Sequence, residues 1–123
     1  KRVYSADGKS EILFAPKKLR QVISPKVAEE MCDILSGVAS KVGTARRAAV
    51  EGFKVAGKTG TAEIKLSKED ETGTELGWMA VFTTDPNIEN PILLISMVED
   101  VKNIGGSGYV VQKDKRVLDQ YLR

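Results

Sequence analysis

Residues 55–63 read VAGKTGTAE, and this stretch decides how the chain is interpreted. Its two ends are typical of a strand, whereas its middle is rich in small residues. Glycine weakens a strand and often marks a place where a ligand or another backbone approaches closely. We therefore expect residues 53–65 to form a strand whose centre contacts a ligand.

Each residue at the centre of this strand offers a different contact. Lys58 carries a fixed ammonium that can anchor a carboxylate, and the hydroxyl of Thr59 or Thr61 can donate to the same group. Gly60 lacks a side chain, so an extended peptide can pair with the strand. A free backbone N–H beyond Gly60 could point at a developing oxyanion. These features suit an extended peptide that ends in a carboxylate.

The flanking sequence predicts an α+β fold. Ser24 can cap a helix and Pro25 suits its first position, and apolar residues follow at helical spacing. A second short helix is expected over residues 44–50, ended by Gly52. Three strands with short connections and a final helix complete the order: residues 53–65, 78–84 and 92–98, then a helix that follows Gly-Gly-Ser at 105–107.

The third of these strands indicates that the sheet needs more protein on one face. Residues 92–98 are apolar on both faces, which predicts a central or covered strand. A three-stranded antiparallel sheet with flanking helices is only marginally stable by itself. Exposed strand edges would also favour an oligomer of the isolated chain.

Two polar segments are predicted to be a turn and a loop that carry no catalytic or binding residues. Asp7-Gly8 is a strong turn former between short extended segments, and a brief apolar run over 12–14 is stopped by Pro16. Residues 67–74 are charged and polar, which is typical of a solvated loop.

Composition excludes several classes of function. The formal net charge of the 123 residues is +2, too small for binding nucleic acid or an anionic membrane. The chain contains no histidine, which excludes Ser-His-Asp and Cys-His catalysis and the commonest zinc sites; we expect no metal and no cofactor. Cys32, the single cysteine, is interpreted as a buried structural thiol. The longest apolar stretch, residues 91–98, is far below the ~20 residues that span a bilayer.

The stretch 55–63 resembles the third signature motif of penicillin-binding proteins, which is Lys-Thr-Gly on a strand. The neighbouring strings resemble the same family over about residues 22–122, and the G-K-T-G-T-A form is more similar to transpeptidases than to β-lactamases. Residues 65–77 and 98–101 are most similar to low-affinity class B enzymes of Gram-positive bacteria. The supporting strings are ISPKVA at 23–28, GTARRA at 43–48, GWMAVF at 77–82 and GGSG at 105–108.

The resemblance implies the C-terminal portion of a transpeptidase domain, residues 1–123, within the β-lactamase/transpeptidase-like fold. The parent would be a serine D,D-transpeptidase that crosslinks peptidoglycan stem peptides, binds β-lactam antibiotics and contributes to resistance, anchored at the extracytoplasmic face of the bacterial membrane. By the same resemblance, Lys58 would serve catalysis by organising charge around the serine and steering the substrate carboxylate. Thr59, Gly60 and Thr61 would bind substrate, with the Thr61 N–H forming half of the oxyanion hole.

The nucleophile of that family is missing from this chain. No serine is followed three positions later by lysine, or two positions later by asparagine, so the S-x-x-K and S-x-N motifs are absent. We therefore expect the isolated chain to be inactive, with the upstream half of the domain as a necessary partner. The serines concerned are Ser5, Ser10, Ser24, Ser36, Ser40, Ser67, Ser96 and Ser107.

Two other functions fit the sequence. The chain could be a non-catalytic module that holds a peptide carboxylate at the edge of the Lys58 strand, in which case it would bind such a peptide alone. It could also be a plain structural domain in which Lys-Thr-Gly occurs by chance. The enzyme hypothesis requires upstream sequence that contains S-x-x-K and S-x-N.

Overall fold

The computed structural model describes residues 2–13, 15 and 17–123. Phe14 and Pro16, which belong to the predicted apolar run and its stop, lie outside the described residues. The Asp7-Gly8 turn is confirmed between the first two strands, and Gly8 has a positive φ of 70°. The elements in chain order are β1 Arg2–Tyr4, β2 Glu11–Leu13, α1 Pro25–Val38, a 3₁₀ turn Arg46–Ala48, β3 Val55–Ile64, β4 Thr74–Thr83, β5 Leu93–Val98 and α2 Ser107–Tyr121.

The main sheet has the order β3-β4-β5, and both pairs are antiparallel. This confirms the predicted meander. β4 begins earlier than the sequence indicated, because its pairing with β3 continues to Ile64 opposite Thr74. The polar loop between the two strands spans residues 65–73. Within it, Asp70 accepts hydrogen bonds from the hydroxyl and N–H of Thr72 and the N–H of Leu66, and these hold the pKa of Asp70 at about 2.

One face of the sheet packs on α2 and forms the core. Residues of β4 alternate, so Gly77, Met79 and Val81 all face the helix. The apolar side chains that the helix buries are Val110, Val111 and Leu118. The buried residues with at most 1% exposure at this interface are Met79, Val81, Val101, Val110, Val111 and Leu118.

The opposite face of the sheet is apolar and largely open in the part of the chain that the structure describes. Trp78 of β4 lies opposite Met97 of β5, and the two are 40% and 42% exposed. Ile95 and Leu93 on the same face are 62% and 63% exposed. The prediction that strand 92–98 is central or covered is therefore wrong for this chain, since β5 lies at a sheet edge with one bare face.

Helix α1 begins where the sequence predicted and packs beside β3. The Ser24 hydroxyl accepts a hydrogen bond from the Val27 N–H at 3.2 Å, which caps the helix. Its apolar stripe is not buried as expected: Ile34 is 65% exposed and no residue of α1 is fully buried. Cys32 is accordingly only partly buried.

The predicted helix over residues 44–50 is reduced to the single 3₁₀ turn. Ala45 and Ala48 are fully buried there, so the segment packs tightly although it is too short for an α-helix. The turn contacts α2, and it leads the chain from the end of α1 into β3. It thereby fixes the loop that lies next to the Lys-Thr-Gly strand.

Candidate functional site

Strand β3 forms one edge of the sheet, with β4 as its strand partner among the described residues. The N–H of Thr84 donates to the carbonyl of Lys54 at 3.0 Å, so these opposed residues form a hydrogen-bonded pair. In an antiparallel ladder such pairs alternate, and every second residue turns its N–H and C=O away from the neighbouring strand. Counting from Lys54, the backbone groups of Thr59 and Thr61 point to the open edge. This edge can therefore accept another extended chain.

Lys58 lies at the middle of β3 and is exposed. It is opposite Ala80, which places its side chain towards the open apolar face of the sheet. Its ammonium donates a hydrogen bond to the carbonyl of Thr59 at 2.6 Å, a group that points to the open edge. The positive charge is thus held beside the edge where a ligand backbone would lie.

The side chains of Thr59 and Thr61 lie on the other face of β3, because side chains alternate along a strand. Thr59 is half-buried opposite Met79, and Thr61 is exposed opposite Gly77. The predicted site residues therefore surround the edge from both sides: the lysine from one face and two hydroxyls from the other.

Gly60 leaves space that the fold itself does not need. A Cβ built at this position would lie 3.4 Å from the Cβ of Trp78, which is an ordinary contact. At Gly57, by contrast, a Cβ would lie 2.7 Å from the carbonyl oxygen of Ala80. Packing thus requires glycine at 57 but not at 60. A close approach by a ligand is a physical reason for the glycine at 60.

A residue to which the sequence assigned no role lies beside this strand. The Thr44 hydroxyl is 3.4 Å from the Thr59 hydroxyl, although the two residues are 15 positions apart. Thr44 also lines a cavity of about 210 Å³ together with Arg46 and Arg47 of the 3₁₀ turn and Gly108 of α2. Its position in the Gly-Thr-Ala string was visible in the sequence, but the contact depends on how the loop folds.

The charge around the site is mainly positive. Lys58, Arg46 and Arg47 form no ion pair with a carboxylate in the described part of the chain. Glu63, further along β3, is 2.8 Å from the ammonium of Lys65, and this hydrogen bond raises the pKa of Lys65. The nearest acidic residue on β3 is thus already paired. The positive electrostatic field of the three unpaired basic side chains favours an anionic ligand.

The hydrogen bonds of Lys58 and of three serine hydroxyls show which groups these side chains contact among the described residues. The ammonium of Lys58 contacts a backbone carbonyl and no serine hydroxyl. The hydroxyls of Ser36 and Ser40 donate to helix carbonyls, and that of Ser96 donates to Asp114 below the sheet. An activated serine would need a base within about 3 Å. None of these hydroxyls is bonded to a basic side chain.

Comparison with known proteins identifies the family that this chain matches. Residues 7–119 match the family described as penicillin binding protein transpeptidase domain. Penicillin-binding protein 3 of Bacillus subtilis (strain 168) is 42% identical over 99 residues, which cover 79% of this chain and 14% of that protein.

Solved structures give the same result. The chain resembles the apo transpeptidase domain of penicillin-binding protein 3 from Burkholderia pseudomallei, with a TM-score of 0.62 and 28% identity over 82% of this chain and 31% of that one. It also resembles the D,D-transpeptidase domain of a peptidoglycan glycosyltransferase from Eggerthella lenta, with a TM-score of 0.62 and 29% identity over 98% of this chain and 26% of that one. The chain spans less than a third of each relative.

Proposed function

Because this chain belongs to the penicillin-binding protein transpeptidase family, we propose that it is the C-terminal portion of a class B serine D,D-transpeptidase that crosslinks peptidoglycan stem peptides. Its three-stranded antiparallel sheet and helices are part of the β-lactamase/transpeptidase fold. The observation that carries the proposal is the open edge of β3, where Lys58, the Thr59 and Thr61 hydroxyls and the Thr61 N–H converge.

The edge of β3 suits the acyl donor of this reaction. A stem peptide that ends in D-Ala-D-Ala would lie along the open edge and pair with its free backbone groups. Its terminal carboxylate would accept hydrogen bonds from Thr59 and Thr61, and Lys58 would hold it by charge. Gly60 leaves room for the peptide backbone to approach the strand.

Acyl transfer then proceeds through an ester on a serine from the rest of the domain. The serine oxygen bonds to the penultimate D-Ala carbonyl carbon, and its proton passes to the departing nitrogen as the last amide bond breaks and D-Ala leaves. The Thr61 N–H would donate to the oxyanion that forms on the carbonyl oxygen. An amine of a neighbouring stem then attacks the ester, forms the crosslinking amide and returns the serine.

A β-lactam would occupy the same edge as the donor. Its carboxylate corresponds to that of the terminal D-Ala, and its strained amide corresponds to the bond that breaks. The leaving nitrogen stays attached to the ring-opened product, so it is not released and the ester hydrolyses slowly. The same hydroxyls and the same ammonium would therefore govern antibiotic binding.

The rest of the domain is the partner that this function requires. The bare apolar face of the sheet, formed by Trp78, Leu93, Ile95 and Met97, is an expected contact for it. The exposed apolar stripe of α1 is a second expected contact surface for the rest of the domain. Without that cover, the chain alone would bury these surfaces by forming an oligomer.

The proposed location is the extracytoplasmic face of the bacterial membrane, where peptidoglycan is assembled. No helix among the described residues is long and apolar enough to cross a bilayer. A membrane anchor would have to be supplied by another part of the protein.

A second candidate function is carboxylate binding without chemistry. The observation that favours it is that, within the described residues, the Lys58 ammonium is hydrogen-bonded to the Thr59 carbonyl and not to a serine hydroxyl. This module would bind a D-Ala-D-Ala peptide reversibly and gain no covalent mass from a β-lactam, whether alone or within the longer protein.

Fluorescent penicillin labelling with intact-mass analysis tests the proposal. We expect the complete transpeptidase domain to gain the mass of one penicillin, and the 123-residue chain alone to gain none. A complete domain that gains no penicillin mass would contradict the proposed transpeptidase function. An adduct on the chain alone would show that one of its own serines is activated.

A further inference from the structure

The hydroxyls of Thr44 and Thr59 come from separate elements yet lie 3.4 Å apart. A good O–H···O hydrogen bond measures about 2.7–2.8 Å, so this pair is too far apart to satisfy both groups. Neither hydroxyl has another hydrogen-bond partner within the described residues. Two hydroxyls at this spacing can both donate to one carboxylate group placed above them.

The loop that carries Thr44 is held in place by its own backbone. The N–H of Ala45 donates to the carbonyl of Val38 at 2.9 Å, and Ala45 is fully buried. At Gly43 a Cβ would lie 2.0 Å from the same carbonyl oxygen, so the loop passes too close to α1 for any side chain. Thr44 therefore cannot shift away from Thr59 without unpacking the loop.

Positive charge adjoins this pair of hydroxyls. Thr44 shares the wall of the 210 Å³ cavity with Arg46 and Arg47, whose guanidinium groups have no carboxylate partner among the described residues. Lys58 lies next to Thr59 on the opposite face of the strand. An anion beside the hydroxyl pair would be attracted from both sides.

We propose that Thr44 is an additional carboxylate-binding residue of the donor site, which donates from its hydroxyl to the carboxylate that Thr59 also binds. This inference rests on the proposed function, since it assumes that the edge of β3 receives a donor with a carboxylate. It assigns part of donor specificity to the loop between α1 and β3, outside the Lys-Thr-Gly strand.

The test compares two probes on the complete transpeptidase domain: benzylpenicillin, which carries the free carboxylate, and its methyl ester, which does not. In Thr44→Val, which keeps the shape and removes the hydroxyl, the second-order rate of acylation by benzylpenicillin should fall about tenfold or more. Acylation by the ester should change less than about twofold. Thr44→Ser keeps the hydroxyl and should retain most of the rate with benzylpenicillin.

Three outcomes overturn the inference. In the first, benzylpenicillin acylates Thr44→Val as fast as the wild type. In the second, the acylation rate of Thr44→Val falls by the same factor with benzylpenicillin and with its methyl ester, which would indicate a structural role. Thr44→Ser could also be as slow as Thr44→Val. In each case the wild-type domain is still acylated, so the proposed function stands. A wild-type domain that reacts with neither probe would contradict both the role of Thr44 and the proposed transpeptidase function.

Thr74→Val, at the exposed start of β4, is the matched control. It should leave the acylation rates with benzylpenicillin and with its methyl ester unchanged.

Discussion

Gly77 of β4 lies so close to Val110 of α2 that a Cβ at position 77 would be 2.8 Å from the Val110 Cγ2 atom. Two methyl groups of Val101 would be at 3.0 and 3.1 Å. All three positions are buried, and valine side chains have little freedom to turn away. Because Gly77 is paired with Thr61, this helix–strand contact also sets the position of the site strand.

Gly77→Ala should therefore destabilise the fold by about 1–3 kcal/mol, as expected for an overpacked core. Urea unfolding monitored by circular dichroism measures the change. Adding Val110→Ala should restore part of the loss, and a double-mutant cycle would show coupling between the two positions. Gly108→Ala is the control, because a Cβ at Gly108 would meet no atom within 4 Å beyond its chain neighbours and the backbone of its own helix, and alanine favours a helix. Equal stability of Gly77→Ala and the wild type would contradict the tight contact.

Lys58→Gln should slow acylation of the complete domain by benzylpenicillin about 100-fold or more, because an electrostatic contact to the reacting groups is lost. The melting temperature should hardly change, since Lys58 is exposed and bonds only to the Thr59 carbonyl. Stopped-flow or gel-based labelling gives the rate. Lys54→Gln, an exposed lysine that precedes the same strand, is the matched control. If benzylpenicillin acylates Lys58→Gln at the wild-type rate, Lys58 has no role in acylation.

Much of the fold could be predicted because its signals are local. Turn residues and apolar runs gave three antiparallel strands in the right order, and the site residues 58–61 are consecutive, so their alternation about one edge follows from strand geometry. Burial could not be predicted in the same way. The helical spacing in α1 identified which face is apolar, but periodicity does not show whether anything covers that face. The Thr44–Thr59 contact depends on a loop packed through Gly43 and Ala45, which sequence spacing does not reveal.

Asp114 gives a prediction of pH dependence. The residue is 2% exposed, its Oδ1 accepts a hydrogen bond from Ser96, and its Oδ2 has no partner among the described residues. Burial raises the pKa of Asp114, and the bond from Ser96 only partly opposes this. Because the pKa is raised in the folded state, the stability contribution of Asp114 is present below 3.8, the ordinary pKa of an aspartate, and is lost as the pH rises through the folded-state pKa.

Asp114→Asn should accordingly raise the melting temperature of the chain by a few degrees at pH 7, and the gain should shrink at pH 3. A change of about 1 kcal/mol corresponds to roughly 4 °C in a domain of this size. Calorimetry at the two pH values measures it. Asp33→Asn, at an exposed position on α1, is the control. A loss of stability at pH 7 would mean that the ionised carboxylate has a favourable partner.

Ile95→Thr tests whether the bare face of the sheet is a contact surface for the rest of the domain. Ile95 is 62% exposed in this chain, and threonine keeps the β-branched shape, so the substitution should change the stability of the chain by less than about 1 kcal/mol. In the complete domain the same change should cost about 2 kcal/mol or more, because it would place a hydroxyl in a covered apolar interface.

Leu66→Thr is the control, because Leu66 is 100% exposed in the loop after β3 and is not on this face. It should have a small effect in both proteins, measured by urea unfolding. If Ile95→Thr also has a small effect in the complete domain, the face stays open to solvent there and another surface of this chain must hold the rest of the domain. A large effect in the isolated chain would instead mean that copies of the chain already cover Ile95, and sedimentation would then show an oligomer.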